Sequence, residues 1–150
     1  MRWSYHRSII LTKLCILVFV AGYFAVILGC PRMMDLFVRT SFSAAGKSRW
    51  LFITTVYACA LPIGLLLLSL WKLIGDIGLE EIFTGANIRR LRIISWMCFL
   101  VGAVCLASMA YYVFWGIIGA CMSFMGLLIR VIKNAFEWAK ELKEEVDYTI

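Results

Sequence analysis

Residues 93–129 read IISWMCFLVGAVCLASMAYYVFWGIIGACMSFMGLLI, a run of 37 residues between Arg92 and Arg130 without one Asp, Glu, Lys or Arg. As a single helix, at about 1.5 Å per residue, it would be about 55 Å long, against about 30 Å of hydrocarbon in a bilayer. The run therefore predicts two antiparallel spans joined by a turn. Two shorter charge-free runs precede it, Leu14–Pro31 with 18 residues and Trp50–Trp71 with 22, each the length of one transmembrane helix. The predicted fold class is all-α: a polytopic membrane protein with four transmembrane helices, the fourth extending into the cytoplasm.

Composition agrees. The chain is 63% hydrophobic with a mean hydropathy of +0.91, far above the apolar usage of soluble domains. Its 150 residues are consumed by one transmembrane domain, with spans expected at about 9–30, 50–72, 92–111 and 116–134, a loop at 73–91 and a tail at 135–150. The net charge of +6 sits at the ends of the spans, a placement that orients a membrane protein rather than one that grips a phosphate backbone. Direct nucleic-acid binding is not expected.

Basic residues set the predicted orientation. With the N-terminus inside, eleven Lys and Arg fall on the cytoplasmic side and four outside (Arg32, Arg39, Lys47 and Arg49). The positive-inside rule then places both termini in the cytoplasm, with Pro31–Arg49 outside. The expected address is a cytoplasmic (inner) membrane, crossed several times. Ile27-Leu28-Gly29-Cys30 approximates a lipoprotein cleavage box, but three further spans follow it, which argues for a retained first span.

Within the long run, the turn is expected near Tyr111–Gly116, where Tyr and Trp favour the headgroup level and Gly eases a tight bend. Trp50 and Trp71 bracket the second span, and Pro62 near its middle predicts a kink that serves packing. The small pairs Ala103/Ala107, Gly116/Ala120 and Gly119/Ser123 predict close approach of the last two helices.

Reactive chemistry is sparse. The six cysteines (15, 30, 59, 98, 105 and 121) form no Cys-x-x-Cys pair and the only histidine is His6, so no zinc-type spacing occurs. No span carries an ionisable group near its centre, which weighs against an ion-coupled carrier. There is no nucleophile–base pair and no glycine-rich phosphate loop. The expectation is a protein that is not an enzyme and has no cofactor, no metal and no catalytic residue.

The clearest local signals lie in the loop and the tail. Thr84 suits an N-cap, with Phe83 and Ile88 as a hydrophobic staple. Arg89, Arg90 and Arg92 follow at headgroup depth and, with Arg130 and Lys133, are the candidate contacts to lipid headgroups. Beyond Arg130, Leu128, Ile132, Ala135, Ala139, Leu142 and Val146 repeat at helical spacing, flanked by the pairs Lys133–Glu137 and Lys140–Glu144. The acidic helix end is expected to run into a short β-prone tetrapeptide, Asp147–Ile150.

The pattern Phe83-Thr84-x-x-Asn87-x-x-Arg90-Leu91-Arg92-x-Ile94 and the ending Glu145-x-Asp147-Tyr148-Thr149-Ile150 resemble the YoaS-like bacterial membrane proteins, a small four-span family of unknown function. The resemblance extends over essentially the whole chain in span order and length. The family's tail usually reads Glu-Asn-Asp-Leu-Thr-Ile; Val146 and Tyr148 depart from it here. Members are often encoded beside a very small helix-turn-helix repressor, so the resemblance implies a soluble cytoplasmic regulator of that type as partner. The candidate partner-binding residues are Thr84, Asn87, Arg90, Arg92, Glu145, Asp147, Tyr148, Thr149 and Ile150. Membrane lipids and a second copy of the chain are the other expected partners. The leading functional expectation is a regulatory or sensory membrane protein acting through its cytoplasmic loop and tail. The alternatives are an oligomeric small channel or transporter and a structural subunit of a membrane complex.

Overall fold

The computed structural model describes the backbone at residues 2–40, 45–77 and 84–149, and side chains at 9–32, 49–77 and 84–149. Four helices account for nearly all of it: α1 (Arg2–Thr40), α2 (Ala45–Ile77), α3 (Gly85–Ser108) and α4 (Phe114–Tyr148). All four are long and apolar enough to cross a membrane, α1 through Ile9–Arg32 and α2 through Arg49–Ile77. The chain is a multi-pass membrane protein. The proposed staple residue Phe83 and the terminal Ile150 lie outside the described residues.

The helices pack in chain order, α1 on α2, α2 on α3 and α3 on α4. Among the described residues the backbones meet only in that order, an open row rather than a closed four-helix bundle, with side chains such as Phe52 of α2 and Trp115 of α4, 5.2 Å apart, reaching past α3. Burial follows from it: 44% of the apolar window of α3 is buried inside the molecule, against 11% in α1 and in α4. α3 is the central post, and the outer helices present most of their side chains to lipid, where apolar groups need no protein cover.

α1 runs straight through Pro31, although the expected outer loop started there. Proline removes the N–H that would bond the carbonyl four residues back, which is that of Ile27. The Tyr57 hydroxyl of α2 donates to that Ile27 carbonyl at 3.3 Å. A neighbouring helix thus supplies the missing donor, which is how membrane helices tolerate proline. The favour is returned beside Pro62 of α2, where the Tyr23 hydroxyl of α1 donates to the Ala60 carbonyl at 3.0 Å. Gly64 makes room for it, since a Cβ there would lie 3.0 Å from the Tyr23 hydroxyl.

The α3–α4 hairpin is the tightest contact. Ser95 Oγ donates to the Gly126 carbonyl at 2.9 Å, and a Cβ on Gly119 would stand 2.9 Å from Leu106 Cγ and 3.0 Å from the Gly102 carbonyl. The seam is therefore Ser95, Cys98 and Gly102 against Gly119, Ser123 and Gly126. Of the small pairs read from the sequence, Gly119/Ser123 lies in it, while Ala103, Ala107 and Ala120 are exposed to the lipid side. The turn falls at Met109–Val113, a few residues before the expected place. Gly116 sits inside the first turn of α4, where its missing side chain lets Met109 fold over; a Cβ there would be 2.7 Å from Met109 Sδ.

At the end of the molecule that carries this turn, Thr55 of α2 forms a buried polar knot. Its hydroxyl lies 2.8 Å from Ser108 Oγ and 2.6 Å from the Tyr111 hydroxyl. One helical turn deeper, the sulfurs of Cys59 and Cys105 are 4.0 Å apart. These groups link α2 to α3.

Candidate functional site

At the opposite end, Thr84 starts α3. Its side chain accepts from the Asn87 backbone N–H at 3.4 Å, and its carbonyl accepts from Asn87 and Ile88 at 3.1 and 3.2 Å. Four helical N–H groups lack partners at a helix start, and this cap satisfies part of that need.

Asn87 and Arg90, two of the candidate partner-binding residues, point inward. Asn87 is fully buried, at 0% exposure. Its side-chain oxygen accepts from Arg90 Nη1 at 3.0 Å, and the same nitrogen donates to the Asp76 carboxylate and to the Lys72 carbonyl of α2. Asp76 belongs to the last turn of α2, where a cation is favoured. Arg90 thus ties α2 to α3 across the connection between them; Asn87 is closed to any partner, and the Arg90 side chain, a quarter exposed, is committed to these bonds.

Arg89 and Arg92 do face outward. Arg92 reaches Glu137 of α4 at 3.2 Å while its side chain stays 58% exposed, and Lys133 meets the other Glu137 oxygen at 2.9 Å. The Lys133 side chain is only 13% exposed, so it lies in the α3–α4 seam rather than reaching for headgroups. Both cations hold the Glu137 carboxyl below its ordinary range, Lys133 most strongly. Arg130 stacks on the Trp96 ring at 5.7 Å, a cation–π pairing that leaves the guanidinium edges free. Arg89, Arg92 and Arg130 are the three predicted headgroup residues that the structure leaves accessible.

The rest of α4 departs from this seam. The helix has 35 residues, about 52 Å at 1.5 Å per residue, so its last part stands clear of a ~30 Å hydrocarbon core. Its inward spine is Gly119, Met122, Gly126, Ile129, Lys133 and Phe136, of which Met122, Ile129 and Phe136 pack on Leu91, Ile94 and Cys98. The apolar series read from the sequence lies one position round the helix and is mostly exposed, including Leu142 at 51% and Val146 at 57%. Lys140 pairs with Glu144 at 3.4 Å and lies near Gly85 at the start of α3.

Beyond Lys140 every residue to Thr149 is exposed, Tyr148 at 91%. Asp147 and Tyr148 continue the helix where a β-prone ending was expected. Thr149 closes it: its N–H donates to the Val146 carbonyl at 3.2 Å and its hydroxyl to the Glu145 carbonyl. The ending is thus a capped helix terminus. The two groups of candidate residues are also separate: from Glu137, beside Arg92, to Glu145 the helix advances about 12 Å.

Several participants carried no local signal in the sequence. Asp76 and Gly126 act only through a partner on another helix, as does the bond from Arg92 to Glu137, and the Cys59–Cys105 pairing joins positions 46 residues apart. Among the described residues no three His, Cys, Asp or Glu side chains gather as a metal cluster.

Residues 37–150 match the model of a family described as Protein of unknown function (DUF2975). The chain belongs to that family. The match takes in the end of α1 and all of α2, α3 and α4, and so includes both the α3 start and the α4 extension. No curated protein and no solved structure matches the chain.

Proposed function

We propose that this chain is a regulatory or sensory membrane protein that recruits a soluble partner through the exposed extension of α4. One observation carries the reading: Glu141–Thr149 forms a capped helix that its own molecule leaves uncovered, with Leu142, Val146 and Tyr148 exposed among four carboxylates. An amphipathic helix of this kind is a ready ligand for a groove in another protein. The distribution of basic residues supports a cytoplasmic position for it in a bacterial inner membrane. The resemblance to the YoaS-like proteins supports a small helix-turn-helix regulator as the partner, its basic surface complementing the acidic tail. In this reading Thr84, Asn87 and Arg90 brace the α2–α3 junction, and Arg89, Arg92 and Arg130 meet lipid headgroups. A pore of hydroxyl-lined helices is disfavoured, because Thr55, Ser108 and Tyr111 spend their hydroxyls on one another.

Deleting Asp147–Ile150 from the full chain in detergent is expected to leave thermal unfolding within a degree or two, since these residues bury little. Capture of a specific soluble protein from cytosol by the full chain should be lost by the deletion variant. A large fall in melting temperature would assign the ending to stability and overturn the reading. A thiol probe at position 43 that reacts only from the cytoplasm would overturn the orientation.

A further inference from the structure

Arg89, Arg92 and Trp96 of α3 follow one another at spacings of three and four residues, so they share one helix face. All three are exposed. Arg130 of α4 comes to the same face, its guanidinium carbon 5.7 Å from the centre of the Trp96 ring. Arg92 is the last charged residue before the apolar run of α3 and α4, and Arg130 is the first after it. The two therefore mark the depth at which hydrocarbon gives way to headgroups. Trp96 is 55% exposed there, at the boundary of lipid and water that an indole favours.

The charge of this cluster is not spent within the protein. Lys133, only 13% exposed, and Glu137 cancel each other in the α3–α4 seam. Glu137 also accepts from one Nη of Arg92 at 3.2 Å and so holds that arginine in place, while its side chain stays 58% exposed. A guanidinium has five N–H donors, so most of those on Arg92 are left for another acceptor. Stacking occupies the face of the Arg130 guanidinium and leaves its N–H edges to a phosphate. Three positive charges remain, ranged along the seven residues from Arg89 to Trp96, about 10 Å of helix. One turn further into the apolar run stand Leu100 of α3 and Leu127 of α4, 48% and 52% exposed. Phe99 meets Trp96 edge-on at 6.5 Å and extends the same apolar wall. Cations at the end of the helices with an apolar wall beneath them match the headgroup and chain of a lipid better than a soluble anion.

We propose that Arg89, Arg92 and Arg130, gathered around Trp96, form a binding site for one phospholipid whose headgroup joins two phosphates. The inference rests on the headgroup contacts assigned above to the three arginines and names the lipid class they select. A single phosphate diester carries one charge and cannot meet guanidiniums at both ends of a 10 Å array. Two phosphates on a short linker can, one near Arg89 and Arg92 and the other near Arg130, with an acyl chain running down past Trp96 and Leu127. Basic pockets between membrane helices suit such headgroups. The site lies on the α3–α4 face and does not involve the exposed end of α4.

The test uses the full chain in an uncharged detergent and counts bound lipid by native mass spectrometry, with cardiolipin, phosphatidylglycerol and phosphatidylethanolamine as probes. One cardiolipin per chain is expected, bound at least about fivefold more tightly than phosphatidylglycerol, with phosphatidylethanolamine weaker than both. Arg89→Gln, Arg92→Gln and Arg130→Gln should each weaken cardiolipin binding about fivefold, whereas Lys13→Gln on α1 should leave it unchanged. Equal affinity for cardiolipin and phosphatidylglycerol overturns the two-phosphate site and leaves the headgroup contacts standing. No preference for either over phosphatidylethanolamine overturns both. Arg92→Gln also loses the bridge to Glu137. Should that variant melt lower without lipid, the Arg89→Gln, Arg130→Gln double variant decides, and affinity equal to the parent's overturns the proposal. Removal of Asp147–Ile150 should leave lipid binding unchanged, so this site and the partner of the tail are tested apart.

Discussion

Arg90 Nη1 on α3 donates to the Asp76 carboxylate at the end of α2 and, at 3.0 Å, to the Asn87 side-chain oxygen one turn back on its own helix. One nitrogen thereby joins two helices and the only fully buried amide side chain among the described residues. The pair is partly exposed, at 25% and 30% for the two side chains, so its own contribution is modest. The wider effect is that Asn87 keeps an acceptor contact it would otherwise lose inside the protein.

Arg90→Lys is expected to destabilise the chain by about 1–2 kcal/mol, because a lysine ammonium cannot serve three acceptors in one plane. Asp76→Asn, which keeps a hydrogen-bond acceptor, should cost about 1 kcal/mol or less. Thermal unfolding in detergent measures both. Equal loss in the two variants would mean that the ion pair alone, without Asn87, accounts for the effect.

Thr84→Val removes the oxygen that accepts from Asn87 and should cost about 1 kcal/mol at the start of α3. The readout is hydrogen exchange at Ala86–Ile88, which should speed up while exchange in the middle of α3 is unchanged. Unaltered protection would show that the Thr84 carbonyl suffices to hold that turn.

Gly119→Ala puts a methyl group 2.9 Å from Leu106 Cγ and 3.0 Å from backbone. Backbone cannot give way as a flexible side chain can, so the α3–α4 hairpin should open at a cost of about 1–3 kcal/mol. Gly22→Ala is the control, since nothing lies within 4 Å of the added carbon. A melting temperature for Gly119→Ala equal to that of the control would contradict the seam.

Much of this architecture was legible in the sequence, and the boundary of legibility has a physical reason. The hydrophobic effect of a bilayer acts on composition, so charge-free runs located all four spans without knowledge of neighbours. The cap at Thr84 is also local chemistry, and it was readable for the same reason. The Gly119/Ser123 seam could be anticipated, but not told apart from Ala103/Ala107, because any small residue permits close approach and only the partner helix decides which face is used. Lys133–Glu137 was readable as a local pair, but the Arg92–Glu137 and Arg90–Asp76 bridges and the Tyr57–Ile27 bond were invisible, each depending on a residue at least one helix away. The proline at position 31 misled most: it reads as a stop when α1 is considered alone and as a tolerated gap once Tyr57 is beside it.

Glu137 accepts from Lys133 and Arg92 and titrates below its ordinary value near 4.5, chiefly because of Lys133. A carboxylate lowered in the folded protein contributes stability that is present above that value and lost as the pH falls through the lowered one. The difference in melting temperature between the parent and Glu137→Gln should therefore be flat near neutrality and shrink below about pH 4.5. High salt should reduce it too, since the group is exposed. A difference that grows on acidification would contradict the assignment.

The row in which each helix makes its main contacts with the one before it and the one after has a bearing on biogenesis. A ribosome releases these segments one at a time, and each finds its partner already waiting in the bilayer. α2 settles on α1 through the two tyrosine–carbonyl bonds, α3 docks through the Arg90 tie at its start and then the Thr55 knot at its end, and α4 zips along glycine and serine. No step requires the last segment to travel back to the first, so little of the chain's entropy is spent on closing long loops. A protein ordered in this way can complete itself vectorially, from one side of the row to the other.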